Sequence, residues 1–368
     1  MKKIKSVSMN GGMLSGEELF EKLEEEMKSG KVVIAEIAPA VRVSLGELFG
    51  FPVGTNVLGK TVSLLKKLGF RHVVDTPLGA DIATYYEAED IKKMLDSGKG
   101  RFPIFNSCCI GWRIYASRTH PELLNNITII ASPQMTIGAV SKYYIAQKSG
   151  MDPSNVVVVG IMPCALKKYE TLEVMRNGNR YIDYVVTTVE LGEWAKKRGF
   201  DLKALQDEPL DQLMPTSSKD GVIFGVTGGM TEAVITTIAQ LYGEKKEILD
   251  FRDDAEIRKK KVRIGKHELN IAIVHGLPNF EKLYNEIKAG EKFHLVEVMM
   301  CQFGCVGGPG QPVADKKTII ARGNALRALA DGINERTPID NPTVQRLKRE
   351  FFDKMPREKL EELIYFNR

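Results

Sequence analysis

An α/β architecture of two lobes, each a mostly parallel sheet flanked by helices, is what the order of apolar segments predicts. Short β-branched runs recur along the chain, amphipathic stretches with helical spacing separate most of them, and the runs are continuously apolar rather than alternating. Strands of that kind are buried on both faces, as in a parallel sheet covered by helices.

In chain order the predicted strands are "VVIAEIA" (32–38), "HVVDT" (72–76), "PIFNS" (103–107), "ITIIAS" (127–132), "VVVVGIM" (156–162), "YVVTTV" (184–189), "LNIAIVHG" (269–276) and "FHLVEVMM" (293–300). Helical spacing is plain in "NVLGKTVSLLKKLG" and "GAVSKYYIAQKSG". The run "GMDPSNV" (150–156) reads as a helix stop and turn, and is taken as the crossing from an N-terminal lobe over 1–155 to a second lobe over 156–312. Residues 243–270 are dense in charge and poor in large apolar side chains, which predicts a solvated excursion or hairpin with "RKKK" on a solvated face. A C-terminal helical segment over 313–368 ends in two helical patterns divided by Pro356.

Composition narrows the function. At 368 residues, 43% of them hydrophobic, the chain is long enough for large cores, and its 52 basic residues are scattered and offset by 47 acidic ones. That balance argues against nucleic acid. No apolar run reaches the ~18 residues of a membrane helix, and the start, "MKKIKSVSMNGGMLSGEELF", turns polar at once. A cytoplasmic protein without a membrane partner is expected.

Five cysteines, Cys108, Cys109, Cys164, Cys301 and Cys305, are too few and too odd in number for a disulfide framework. Four of them lie at the carboxyl ends of predicted strands, the edge at which open α/β sheets bind ligands. Neighbouring residues in an extended segment point to opposite sides, so Cys108 and Cys109 do not serve one cluster together and one thiol is left over. Four thiols suit a cubane [4Fe–4S] cluster, and the bare backbone of "GCVGGPGQP" allows close approach to its sulfides. A four-thiolate zinc site is the rival; it leaves the fifth thiol, the nearby methionines and the lysine without a task. Buried thiols acting as small hydrophobes are the plainest alternative.

The segments "NSCCIGW" (106–112), "MPCALKKYE" (162–170) and "EVMMCQFGCVGGPGQP" (297–312) resemble, in order and interval, the three signature motifs of the catalytic domain of [FeFe]-hydrogenases. "APAVR" (38–42), "SPQ" (132–134), "VVTTVELG" (185–192) and "FGVTGGMTEA" (224–233) extend the likeness over almost the whole chain from about residue 30. The resemblance implies that Cys109, Cys164, Cys301 and Cys305 hold the cubane. Cys305 would also bridge to a diiron subsite carrying CO, cyanide and azadithiolate, the whole forming the H-cluster in the cleft between the lobes. Cys108 matches the thiol that exchanges a proton with the azadithiolate. Lys167 matches the lysine paired with a cyanide, Pro39, Ala40 and Gln134 line the opposite side, and Met162 and Met299 pack against the diiron part. Alone, a lysine in "KK" is a solvated charge and each methionine a core filler.

The resemblance also implies a proton route through Cys108, Glu87, Thr128 and Asp90. Glu87 and Asp90, three apart, share a helix face, although two surface carboxylates at a helix start would read the same way. Thr128 replaces the usual serine, and Asp90 a glutamate, one methylene shorter, so its link to Glu87 needs water or backbone movement. Further departures are Ile110 for proline, Met300 for a small residue, Pro309 inside the glycine run, and Ala131 for a lysine, expected to remove a charge at the entry surface. No cysteine precedes Cys108, which suggests a minimal hydrogenase fed by an external carrier such as ferredoxin and dependent on maturation proteins for its diiron site. The expected reaction is reversible reduction of protons to H2. A hydrogen-sensing regulator and an iron–sulfur assembly protein lacking the diiron site are the alternatives; "RKKK" or Lys316 with Lys317 could dock the carrier.

Overall fold

The computed structural model describes residues 13–245 and 255–366, so 246–254 of the charged 243–270 segment lie outside the described residues. From the amino end, α1 (Gly16–Lys28) lays Leu19, Phe20 and Leu23 on the first core and β1 (Val32–Ile37) follows. Next, α2 (Leu58–Leu68) stops at Gly69, whose φ of 112° suits a residue without a side chain. β2 (His72–Asp75) runs straight into α3 (Thr76–Ser97), with Pro77 in the first turn, where its missing N–H costs no bond. β3 (Ile104–Phe105), α4 (Ile110–Thr119) and α5 (Pro133–Val140) come next, and a π-helical turn leads α5 into α6 (Ala146–Ser149). Beyond them lie β4 (Val156–Met162), β5 (Tyr184–Thr187) and α7 (Thr188–Lys197), which opens on a capping box between Thr187 and Glu190. The remaining elements are α8 (Lys219–Val222), α9 (Gly229–Leu241), β6 (Ile257–Ile264), β7 (His267–His275), α10 (Leu277–Lys288), β8 (Leu295–Met299), α11 (Lys316–Asp331), α12 (Pro342–Glu350) and α13 (Arg357–Ile364).

The strands form two four-stranded sheets, in the orders β2-β1-β4-β5 and β3-β8-β7-β6. Every pairing is parallel except β6 with β7, which form the hairpin expected of the charged segment. Lys259, Lys260 and Lys261 face solvent there, while Arg258 is buried. The lobe boundary expected at 155/156 is corrected by the pairing. After the turn at Gly150 and Pro153–Asn155, β4 returns beside β1 in a continuous parallel register from Val32 with Val156 to Ile37 with Ile161. Conversely β3, early in the chain, pairs with β8. Each sheet therefore takes strands from both sides of the boundary.

The strand expected at 127–132 is not one. Its backbone bonds are divided between two neighbours: Thr128 N–H donates to the Phe105 carbonyl, while Ala131 N–H donates to Ile364 O and Ile129 O accepts from Phe366 N–H. Only isolated bridges to Phe105 and Tyr365 result. Pro356 does divide α12 from α13.

Between the sheets runs α3, apolar on two sides. Leu78, Ile82, Ala83 and Tyr86 belong to the core of the first sheet, and Ala80, Ala88, Ile91 and Leu95 to that of the second. Gly79 lets α5 approach, since a Cβ there would lie 2.2 Å from the Pro133 carbonyl oxygen. The cysteine loop after β8 is tied down from α11: Arg322, fully buried, donates to both Glu47 carboxylate oxygens at 2.7 and 2.6 Å and to the carbonyls of Val306 and Pro312. Arg322→Ala leaves a carboxylate and two carbonyls unpaired. A loss of about 3 kcal/mol in urea unfolding, with unchanged slope, is the expected outcome.

Candidate metal centre

Strands β1, β2 and β4 of the first sheet and β3 and β8 of the second deliver their carboxyl ends to one cavity. From the first sheet come Ala38 and Pro39 after β1, Thr76 and Pro77 after β2, and Met162, Pro163, Cys164 and Lys167 at and after β4. From the second come Cys108 and Cys109 after β3, and Met299 and Cys305 at and after β8. The lining is almost wholly apolar carbon and sulfur. The convergence expected of the strand ends is what the pairing produces.

Of the site residues expected from the sequence, Cys108, Cys109, Cys164, Cys305, Lys167, Met162, Met299, Pro39 and Gln134 line this cavity. Cys301 does not line it, but it interacts electrostatically with Cys109 and Cys164. Ala40 does not line it either; its side chain packs with Val43, Val306 and Leu326. Its carbonyl accepts from Gln311 Nε2 at 3.1 Å, tying the cysteine loop to the β1 end, and Ala38 takes the place expected of it.

All five thiols are unpaired and partly buried. Burial first, then the neighbouring thiols, pushes Cys164 up to about 11 and Cys301 up to about 12. Cys305 and Cys108 are driven higher by the same burial. Metal-ligating cysteines bind as thiolates, so a bound cation would relieve the repulsion among these thiols. On a single zinc ion, with Zn–S about 2.3 Å, they would sit about 3.8 Å apart; among the described residues no three Cys, His, Asp or Glu side chains are grouped to hold one ion. Glycine makes the necessary backbone approach: a Cβ on Gly308 would lie 2.4 Å from the Pro163 carbonyl oxygen, and one on Gly310 would lie 3.0 Å from Cys164 N. Gln134 Oε1, buried in the cavity wall, has no hydrogen-bond partner in the protein. Soft donors, bare backbone and an unsatisfied acyl oxygen fit an iron–sulfur group.

Lys167 is not a surface charge. Its Nζ donates to Glu170 Oε1 at 2.7 Å and to the Cys108 carbonyl at 3.1 Å. Burial opposes its charge, but Glu170 outweighs burial and raises the ammonium above its ordinary value. Glu170 is itself fully buried and accepts from Ser132 Oγ at 2.7 Å and Gln134 Nε2 at 3.1 Å. One carboxylate thus orients both polar groups that reach the cavity. Glu170 lies inside "MPCALKKYE" and has no role in the motif taken alone; the signal for it in the sequence is its spacing from Lys167, three residues apart in a helical turn. Asn106 was also missed. Its side chain clamps Val298 through both backbone groups, extending the two-residue β3, and donates to Cys108 Sγ at 3.3 Å.

Glu87 and Asp90 both lie on α3, but Glu87 is buried, which removes the reading of two surface carboxylates. Burial, then the charge of Asp90, pushes Glu87 up to about 8, against a lowering contact from Thr128. Glu87, Asp90 and Thr128 line a second cavity, whose wall mixes these groups with apolar side chains such as Ile91 and Met94. Ala131, expected at the entry surface, is corrected to a buried position under the C-terminal segment. Met300 fits because Gly111 lies beneath its sulfur, which would be 2.3 Å from a Cβ there.

Thiols, thioethers and one buried cation around an apolar cavity define a protein built to hold a soft-metal cluster. Residues 31–309 match the family described as iron only hydrogenase large subunit, C-terminal domain. The chain is 41% identical, over 79% of its length, to the periplasmic [Fe] hydrogenase large subunit of Nitratidesulfovibrio vulgaris, of which it covers 71%. It is 37% identical, over 99% of its length, to the NADP-reducing hydrogenase subunit HndD of Solidesulfovibrio fructosivorans, and spans only 65% of that relative. An apo [FeFe]-hydrogenase HydA1 variant from Chlamydomonas reinhardtii superposes with a TM-score of 0.83 at 30% identity, over 94% of this chain and 98% of that one. Protein NAR1 of Arabidopsis thaliana is 29% identical over 88% of this chain and 75% of its own. The chain belongs to the iron-only hydrogenase large-subunit family, and among the described residues no helix is long and apolar enough to cross a membrane.

Two outcomes follow from this geometry. Gly308→Ala, by forcing the loop off Pro163, should leave the fold intact yet abolish the broad cluster absorbance after reconstitution with iron and sulfide. For Glu87, a folded value of about 8 against an ordinary 4.5 means that its contribution to stability is present below about pH 4.5 and lost as pH rises through about 8. Urea midpoints of wild type and Glu87→Gln should therefore diverge in that window, the variant being the more stable at pH 9.

Proposed function

We propose that this chain catalyses the reversible reduction of protons to H2 at a [4Fe–4S] cluster joined to a diiron subsite bearing CO, cyanide and azadithiolate. The observation that carries the reading is that Cys108, Lys167, Met162 and Met299 share one cavity with cluster-type cysteines. A site for a cubane alone has no use for these four. Cys109, Cys164, Cys301 and Cys305 would hold the cubane, Cys305 being shared with the diiron subsite. Met162, Met299, Pro39 and Gln134 would enclose the remainder. When bound, such a group supplies electron storage and the hydrogen bond-making chemistry.

The chain's own residues then bind, orient and move protons. Lys167, kept charged by Glu170, offers an ammonium suited to an anionic ligand in a dry pocket. Cys108, whose thiol burial drives upward, carries a proton at neutral pH and stands inside the cavity. Glu87, raised to about 8, is also protonated there, so two stations of the route hold protons to give. Electrons reach the cubane from a carrier outside these residues, ferredoxin in this reading. Lys316 and Lys317, both exposed, support docking of an acidic partner, and Lys316 Nζ lies 5.3 Å from the ring of Phe303, between Cys301 and Cys305. Cytoplasmic placement, anaerobic use and loading by maturation proteins belong to the same reading.

Likeness both to NAR1 and to proteins named cytosolic iron–sulfur assembly component 3 favours a second reading in which only clusters are bound. Reconstituting the cubane, adding a synthetic diiron azadithiolate precursor and measuring H2 evolution from reduced viologen separates the two. Turnover is expected, cut at least a hundredfold by Cys108→Ala and abolished by Cys164→Ala. CO and cyanide infrared bands without turnover would favour a sensor, and an intact cubane that takes up no such bands, the assembly protein.

A further inference from the structure

The outer end of the proton route is built by a part of the chain that the route's own residues do not predict. Asp90 Oδ2 accepts a hydrogen bond of 2.6 Å from the hydroxyl of Tyr365, 275 residues further on. That hydroxyl is in turn met at 3.2 Å by Arg357 Nη2, which also stands 3.9 Å from Asp90 Oδ1. Arg357 is fixed from behind by Glu361 at 2.9 Å. The backbone on either side of Tyr365 is clamped: Ile364 O accepts from Ala131 N–H and Phe366 N–H donates to Ile129 O, so Tyr365 is held beside the stretch that carries Thr128. Tyr365 itself is 3% exposed.

We propose that Tyr365, oriented by Arg357, is a positioning residue that fixes the Asp90 carboxylate at the mouth of the route; this rests on the hydrogenase reading above. With Oδ2 capped by the phenol at 2.6 Å, the carboxylate is held in one orientation, and Oδ1, met only by the longer contacts to Lys93 at 3.4 Å and Arg357 at 3.9 Å, is the oxygen that exchanges protons with solvent. The cavity that Asp90 shares with Glu87 and Thr128 has a volume of ≈ 240 Å³, ample for the waters that must bridge a side chain one methylene short. A proton taken from solvent at Oδ1 passes to cavity water and then toward Glu87, while the phenol keeps its own proton. The other charges facing Asp90 are Glu87 and Lys93 from its own helix, Lys93 at 3.4 Å, and Lys99 and Arg101 around the cavity wall. None of these replaces the tyrosine, because Lys93 reaches Oδ1, and the hydrogen bond to Oδ2 comes from Tyr365.

The test compares wild type, Tyr365→Phe, and Tyr365→Phe with Asp90→Glu, each loaded with the synthetic diiron precursor. Tyr365→Phe should lower H2 turnover roughly tenfold, enlarge the solvent deuterium effect and leave the thermal midpoint and the cubane potential unchanged. The longer Asp90→Glu side chain should restore most of the rate. In unloaded, tyrosine-labelled protein a slowly exchanging phenolic proton should be seen by NMR and vanish in Asp90→Ala. Equal rates, pH profiles and isotope effects in wild type and Tyr365→Phe, with wild type active, overturn the positioning role alone. So does a loss that accompanies a lowered thermal midpoint and is not rescued by Asp90→Glu. A loaded but inert wild type overturns the hydrogenase reading and, with it, the proposal.

Discussion

The whole arrangement depends on α3 being buried along two sides at once. A helix with one apolar stripe packs on one sheet and shows its other side to water. By giving one set of residues to each core, α3 fixes the distance between two sheets that share no strand. The gap so defined, at the carboxyl ends of the strands, becomes the cavity. Its floor includes Thr76, Pro77 and Ala80 from the first turns of α3. Ten residues beyond Ala80, about 15 Å along the axis, the same helix presents Asp90 near the surface. One rigid element thus carries both a wall of the cysteine-lined cavity and the two carboxyls Glu87 and Asp90.

Burying charge in such a gap is expensive, and the structure meets the cost by pairing in layers. Lys167 leans on Glu170, and Glu170 on Ser132 and Gln134. Arg322 plays the same part for the cysteine loop through Glu47 and two carbonyls. A carboxyl without an ion-pair partner of its own responds by keeping its proton: Glu36, fully buried and hydrogen-bonded by Thr76, is raised well above its ordinary value by desolvation. Glu87 follows the same physics, raised first by burial and then by the charge of Asp90.

Much of this was legible in the chain. Seven of the eight expected strands form, because continuous β-branched runs such as Val156–Met162 have no polar face to give to water. The exception, 127–132, has the composition of a strand, but its hydrogen bonds go to two different neighbours. The cysteines, the lysine and the two methionines were readable because their motifs are local in sequence, with each residue fixed by its offset from a strand end.

What the sequence determined by itself is therefore the inventory: strands buried on both faces, thiols at their carboxyl ends, and membership of a cluster-binding family. Only the tertiary structure decided which strands share a sheet, since register between segments more than a hundred residues apart is set by packing and leaves no local trace. It likewise decided that Ala131 is covered, that Ala40 turns from the cavity, and that Asp90 meets Tyr365. Hydrogen bonds between distant side chains depend on where the backbone brings them, which spacing along a chain does not encode.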